Sequence, residues 1–380
     1  MTTQGRKNGW LARRTTEWND RVTSRLHAEV LRGPGGAVPA GRSRGLAVLL
    51  AVMVDASTLA LAALGVWIAV VTPFRVGGIV VGLVLVLVAW DVRPRLARRP
   101  EGGSHAQVVR APAFESYLHE VADAVGTRPV DEVYVNHHVN ASVFDVGLRR
   151  RRVLVVGAPL WAALTTGQRT ALLGHELAHF VSGDTRHSTV VGGALTTLAE
   201  WHQVMRDDRT VGLVPPPRGL LIGFSNWVAR WFMRVLSIVP RGLSLILLVV
   251  TLQDSRRAEY RADRVSAQVA GRDDAVGLLR MSQRTDSLVL ALRRATAGRE
   301  PDLLAVAAGF AGTTSQAPPR TTPPGLLDSH PPDHLRLEAV QHLPPSAGSV
   351  LLSPERAAAI DAELAPAFTK AERRLRDAFR

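Results

Sequence analysis

The run from Leu46 to Val71 carries no charged residue except Asp55. As a helix, a stretch of that length crosses a hydrocarbon core of about 30 Å. A second apolar run, Val76 to Trp90, follows the turn Thr72–Pro73–Phe74–Arg75. It falls short of the usual ~17–25 residues of a span and relies on flanking arginines that reach the interface. The two runs are expected to form a transmembrane hairpin, a retained anchor and not a cleaved signal, because a long charged arm precedes it.

The charge pattern orients the hairpin. Net charge is +13, from 46 Lys+Arg against 33 Asp+Glu. Much of the excess lies beside the apolar runs: Arg6, Lys7, Arg13, Arg14, Arg21, Arg25, Arg32, Arg42 and Arg44 before the first, and Arg93, Arg95, Arg98 and Arg99 after the second. The intervening turn carries only Arg75. Basic outer flanks are expected to place both ends of the hairpin, and with them the long region that follows it, on the cytoplasmic side of the cell membrane. The partner implied by this charge is the lipid bilayer and not nucleic acid, for which no recognition motif is present. The chain has no cysteine, so disulfides, thiolate metal sites and cysteine nucleophiles are excluded and any metal must sit on His, Asp or Glu.

Four regions are expected: a basic cytoplasmic arm over 1–45, the hairpin over 46–92, a mixed region of helices and short strands over 105–345, and a charged, surface-exposed C-terminal helix over 346–380. In the third region Phe114, Tyr117, Leu118, Val121 and Val125 recur at helical spacing. Asp131–Val135 and Val153–Val156 are β-branched and predict strands. A helix is predicted from Thr166–Gln168 to Val181, stopping at Gly183–Asp184. Two apolar stretches, Ser188–Leu198 and Gly219–Leu252, the latter broken by Arg230, Arg234 and Pro240, suit a second membrane hairpin at 188–252 or an interfacial amphipathic pair. The Pro- and Thr-rich segment Ser315–Gly325 predicts a loop. Ser353–Pro354–Glu355 is a helix-start signature. The fold class is mainly α with a small β-sheet.

The predicted helix contains His175–Glu176–Leu177–Ala178–His179. Residues four apart on a helix lie about 40° apart around its axis and about 6 Å along it, so both imidazoles project toward one point. They can grip one metal ion, and Glu176, turned about 100° away, is placed as a base beside the metal and not as a ligand. The neighbours Ala171, Leu172, Leu173, Leu177 and Phe180 are apolar, so two unsatisfied imidazoles there would be costly. A catalytic zinc site needs a third protein ligand and an open fourth position. A His-x-x-Gly-x-x-His continuation would fall on Ser182 and Thr185, which rules it out. Glu200 and Glu259 remain as candidates. Glu259 lies in Arg256–Arg257–Ala258–Glu259–Tyr260–Arg261–Ala262–Asp263, where it shares a helix face with Asp263. One carboxylate could then reach the metal while the other orients a ligand histidine. Taken alone, that segment equally suits a solvated helix of Arg–Glu pairs.

Three elements stand in order: His175 to His179, Glu259 to Asp263, and His330–Pro331–Pro332 followed by Arg336. Together they resemble the HtpX and CAAX-prenyl-protease family of membrane zinc metallopeptidases. A fourth element, an Asn-Ala-Phe-Ala edge strand, is matched loosely by Asn140–Ala141–Ser142–Val143, with departures at Ser142 and Val143. The resemblance covers roughly Ala111 to Leu343 and the preceding hairpin. It implies a zincin-like domain with one Zn2+ per chain on His175, His179 and Glu259, Glu176 as the catalytic base, and Asp263 holding a ligand histidine. It further implies that His330 assists catalysis and that Asn140 and Arg336 meet substrate, with pairing to Asp333 or Asp263 as the alternative for Arg336. The expected activity is hydrolysis of peptide bonds in membrane or membrane-associated proteins, in quality control. A prenyl-protein protease and a non-hydrolytic metal-binding scaffold are the rival readings. The substrate is a peptide or protein; the oligomeric state is not encoded in these features.

Overall fold

The computed structural model describes residues 19–33, 44–71, 75–91, 105–108, 110–147, 149–181, 184–206, 234–311 and 330–379, with a few single positions between them. It is mainly helical with one small sheet. The chain divides into two compact units, one of Met1–Gly41, Arg98–Thr185 and Asp254–Arg380, the other of Arg42–Ala97 and Arg186–Gln253. The loop expected over Ser315–Gly325 and the stretch from Gly219 to Phe224 lie outside the described residues.

In the first unit, helix α1 occupies residues 19–32. Strand β1 (His105–Gln107), helix α4 (Pro112–Val125) and strands β2 (Glu132–Asn136), β3 (Ala141–Val146) and β4 (Arg151–Gly157) come after the apolar hairpin. The sheet order is β1-β2-β4-β3. β2 runs parallel to β4, with Glu132 opposite Val153, and β3 runs antiparallel to it, with Ala141 opposite Val156. β3 is therefore an edge. After β4 come α5 (Ala158–Ala162) and α6 (Thr166–Val181), the helix bearing the two histidines.

The core of this unit forms where the sheet, α4 and α6 meet, through Phe114, Tyr117, Leu118, Val133, Leu154, Leu173 and Leu177. The Tyr117 hydroxyl lies 2.6 Å from Thr170 Oγ1, tying α4 to α6. Helices α9 (Arg272–Gln283), α10 (Thr285–Ala297), α11 (Leu303–Ala308) and α12 (Asp333–Gln341) complete the middle of the unit.

The C-terminal helix α13 (Pro354–Ala378) corrects one expectation. Ser353 caps it as its sequence suggests, accepting from Arg356 N, but the helix is not simply a surface element. Ala357, Ile360, Leu364, Ala367, Ala371 and Leu375 form a buried stripe at helical spacing, and Ile360 is fully buried in the main core. Three of its acids serve other elements. Glu363 accepts from the backbone N–H groups of Ala113 and Phe114, Glu372 from Leu303 N, and Asp361 from Trp161 Nε1 and Arg169. The first two thus cap the N-termini of α4 and α11, where helices leave backbone donors unpaired.

In the second unit, α2 (Arg44–Val71) and α3 (Arg75–Asp91) form a hairpin. They touch where two glycines face each other: a Cβ on Gly65 would lie 2.8 Å from the carbonyl oxygen of Gly82. Small residues at such a contact let helix backbones approach closely. Helix α7 (Asp184–Arg206) and the first half of α8 (Ile238–Ala270) belong to the same unit. Val191, Ala194 and Leu247 pack on Ala47 and Ala51. Two helices, Gly45–Val71 and Arg234–Ala270, are long and apolar enough to cross a membrane by length and composition. Only 22% and 28% of their most apolar windows are buried, unlike a core helix of a soluble protein. α3 is apolar but shorter. Pro240 does not break α8, because it sits in the first turn, where its missing N–H is tolerated.

Candidate metal centre

α8 is one uninterrupted helix, and its part from Asp254 onward lies in the first unit. There it packs against α6. Gly174 makes the approach possible: a Cβ at this position would already be 3.3 Å from Val269 and 3.4 Å from Ser266 Cα. Ser266 Oγ donates to Ala171 O at 2.8 Å, fixing the crossing.

One ligand atom each from His175, His179 and Glu259 lies within 4.8 Å of the others. His175 Nε2 is 3.6 Å from Glu259 Oε2, and His179 Nε2 is 3.8 Å from Glu259 Oε1. Glu200, the rival third ligand, is not in this group. The imidazoles stand nearly perpendicular, at 86°, with ring centroids 5.1 Å apart. Glu176 follows His175 on α6 and is buried. Asp263, one turn beyond Glu259, puts Oδ1 3.0 Å from His175 Nδ1. A carboxylate on Nδ1 favours the tautomer whose Nε2 lone pair faces the cluster.

Arg336, on α12, is buried. Its Nε and Nη2 donate to Asp263 at 2.8 and 2.6 Å, and Nη1 is 3.2 Å from Glu259 Oε2. Of the two roles the sequence leaves to this side chain, contact with substrate or pairing with Asp333 or Asp263, the structure shows the pairing with Asp263, joined by Glu259. Burial opposes its charge, but Asp263 and Glu259 outweigh that cost and hold its pKa above the ordinary guanidinium value. Such a bidentate pair fixes geometry as well as charge. His330 stands just before the Pro331–Pro332 start of α12, its Nδ1 3.0 Å from Glu259 Oε2. Its side chain is 65% exposed, so it sits at the mouth of the cluster. Hydrogen bonding to Glu259, reinforced by the carboxylate's charge, raises its pKa above the usual imidazole value. Asn140 is exposed at the head of the edge strand, its carbonyl accepting from Gly157 N at 2.8 Å. The pairing of Arg336 with Asp263 is one the sequence suggests; its further contact with Glu259 is not evident there.

The donor set suits a metal ion. Two imidazole nitrogens and one carboxylate match zinc with an open position, and the three donor atoms lie within 4.8 Å of one another. The model of Peptidase family M48 matches residues 109–343. The chain belongs to this family. Among similar proteins, Protease HtpX of Pseudoalteromonas atlantica is 28% identical over 212 residues, covering 55% of this chain and 64% of that protein. The Protease HtpX homolog of Nitrosomonas europaea is 28% identical over 214 residues, covering 56% and 64%. That of Bordetella petrii is 27% identical over 240 residues, covering 60% and 69%. The match thus spans less than two thirds of the first two relatives. Residues 19–32 and the whole of α13 lie outside the matched family region.

Proposed function

We propose that this chain is a membrane-anchored zinc metallopeptidase that hydrolyses peptide bonds of membrane or membrane-associated proteins, in protein quality control. The observation that carries this reading is the convergence of His175, His179 and Glu259 from two helices onto one point, with Glu176 on the same helix as the histidines. In this reading those three residues hold one Zn2+, which supplies a Lewis acid and lets water lose a proton near neutral pH. Glu176 takes that proton and returns one to the leaving amine. Asp263 keeps His175 in the binding tautomer, and Arg336 holds Asp263 and Glu259 in register. His330 donates a hydrogen bond to the oxygen that gains charge as the carbonyl becomes tetrahedral.

An extended peptide suits the free side of β3, with Asn140 at its start, because an edge strand offers unpaired backbone groups. The α2–α3 hairpin, with α7 and the first half of α8 as a second pair, anchors the chain in this reading, and the catalytic unit lies on the cytoplasmic face by the charge of its flanks. The direct test is the metal content and casein hydrolysis of the purified full-length protein beside its Glu176→Gln variant. One zinc per chain in both, with hydrolysis in the parent alone, is expected. Equal hydrolysis by both would remove Glu176 from the chemistry, and an inactive parent that binds zinc would favour a metal-binding scaffold.

A further inference from the structure

Helix α1 belongs to the first unit and lies against the elements that build the metal centre. Its buried positions are Asn19, Thr23, Leu26, His27 and Val30, which share one helical face, while Asp20, Arg21, Ser24, Arg25 and Glu29 are exposed. That face meets α8 and α12 together. On α8, Arg256 is fully buried, with Nη1 donating to Thr23 Oγ1 at 2.6 Å and Nη2 to Asn19 Oδ1 at 2.8 Å. The Thr23 hydroxyl donates to Asn19 O at 2.8 Å, which leaves its oxygen oriented to accept from Arg256. His27 spans both helices: Nε2 lies 3.1 Å from Glu338 Oε2 on α12, and Nδ1 lies 3.4 Å from the Tyr260 hydroxyl on α8. Leu26 and Val30 close over Tyr260 and Ala339.

These contacts fall within one turn of the residues that matter. Arg256 and Tyr260 bracket Glu259 on α8, and Glu338 and Ala339 follow Arg336 on α12. The bond between these helices at the site is Arg336 against Asp263 and Glu259. A buried guanidinium whose hydrogen bonds are removed is expensive, so the face of α1 that satisfies Arg256 also decides where this part of α8 rests.

We propose that α1 is a clasp that sets the spacing of α8 and α12 and so positions Glu259 as a metal ligand, with Arg256 and His27 as positioning residues. The proposal rests on the metal-centre reading above. It assigns a role to a segment outside the matched family region.

The test uses the full chain in detergent and compares the parent with an Asn19→Leu, Thr23→Val double variant, with His27→Ala, and with His27→Gln, whose amide can serve both His27 partners. Three quantities are read: Co2+ affinity by chelator competition, the visible spectrum of bound Co2+, and kcat against KM on a peptide. Removing groups that orient metal ligands weakens metal affinity by about 10- to 100-fold. That range is expected for the double variant and for His27→Ala, with an altered Co2+ spectrum, lower kcat and nearly unchanged KM. His27→Gln should recover most of the affinity. Variants that melt earlier yet bind Co2+ as tightly and with the same spectrum would make α1 a merely structural element and overturn the clasp alone. A parent that takes up no Co2+ would overturn the metal centre, and the clasp with it.

Discussion

In the proposed mechanism each side chain around Glu259 has a distinct task, and substitution separates them. His175→Ala, His179→Ala and Glu259→Ala are expected to lose zinc on dialysis, as metal analysis would show, whereas Glu176→Gln keeps it and loses turnover. Zinc retained in Glu259→Ala but lost in Glu200→Ala would transfer the third ligand to Glu200. For His330→Ala, a drop in kcat of about 10²–10³-fold is expected, the cost of losing one donor to a developing oxyanion, with zinc content and KM nearly unchanged. Zinc loss in that variant would make His330 a ligand. Unchanged kcat would make it a loop residue that happens to touch Glu259 at 3.0 Å.

At the scale of elements, the metal centre depends on two helix contacts made for different reasons. α6 meets α8 through small residues, Gly174 and Ser266. α8 meets α12 through a buried ionic lock. α13 braces the same unit from its far end, its stripe in the core and its acids on other helices. Truncating the fully buried Ile360 to Ala should therefore cost about 2–5 kcal/mol, measured as a lower denaturation midpoint in detergent, with metal affinity of the folded protein preserved. A cost near zero would mean that α13 is only loosely attached. The charges of α13 suggested a solvated helix because a carboxylate that caps a distant helix looks, in sequence, like any surface acid.

For the whole molecule, the orientation proposed for the bilayer rests on the basic flanks of the hairpin. The chain lacks cysteine, so single introduced thiols report position cleanly. Arg149→Cys, in an exposed turn of the catalytic unit, should react only with reagents that enter the cytoplasm. Val71→Cys, at the end of α2, should react from outside. The reverse pattern would invert the topology and place peptide hydrolysis on the external face.

The sequence by itself determined the elements whose periods and ends are local. These are the α2–α3 hairpin, the amphipathic α4, the strands β2 and β4, and the helix α6 with two histidines four residues apart on one face. Four-residue spacing is a property of a single helix, so no partner is needed to see that His175 and His179 point together. Tertiary structure decided the rest. Glu259 lies 80 residues beyond His179 in number and could be told from Glu200, without a family pattern, only by which helix crosses α6. The burial of Arg336, the stripe of α13 and the docking of α1 depend on surfaces from distant segments. Their hydrophobic and ionic energies exist only once those surfaces meet, and no window along the chain contains both sides of the contact.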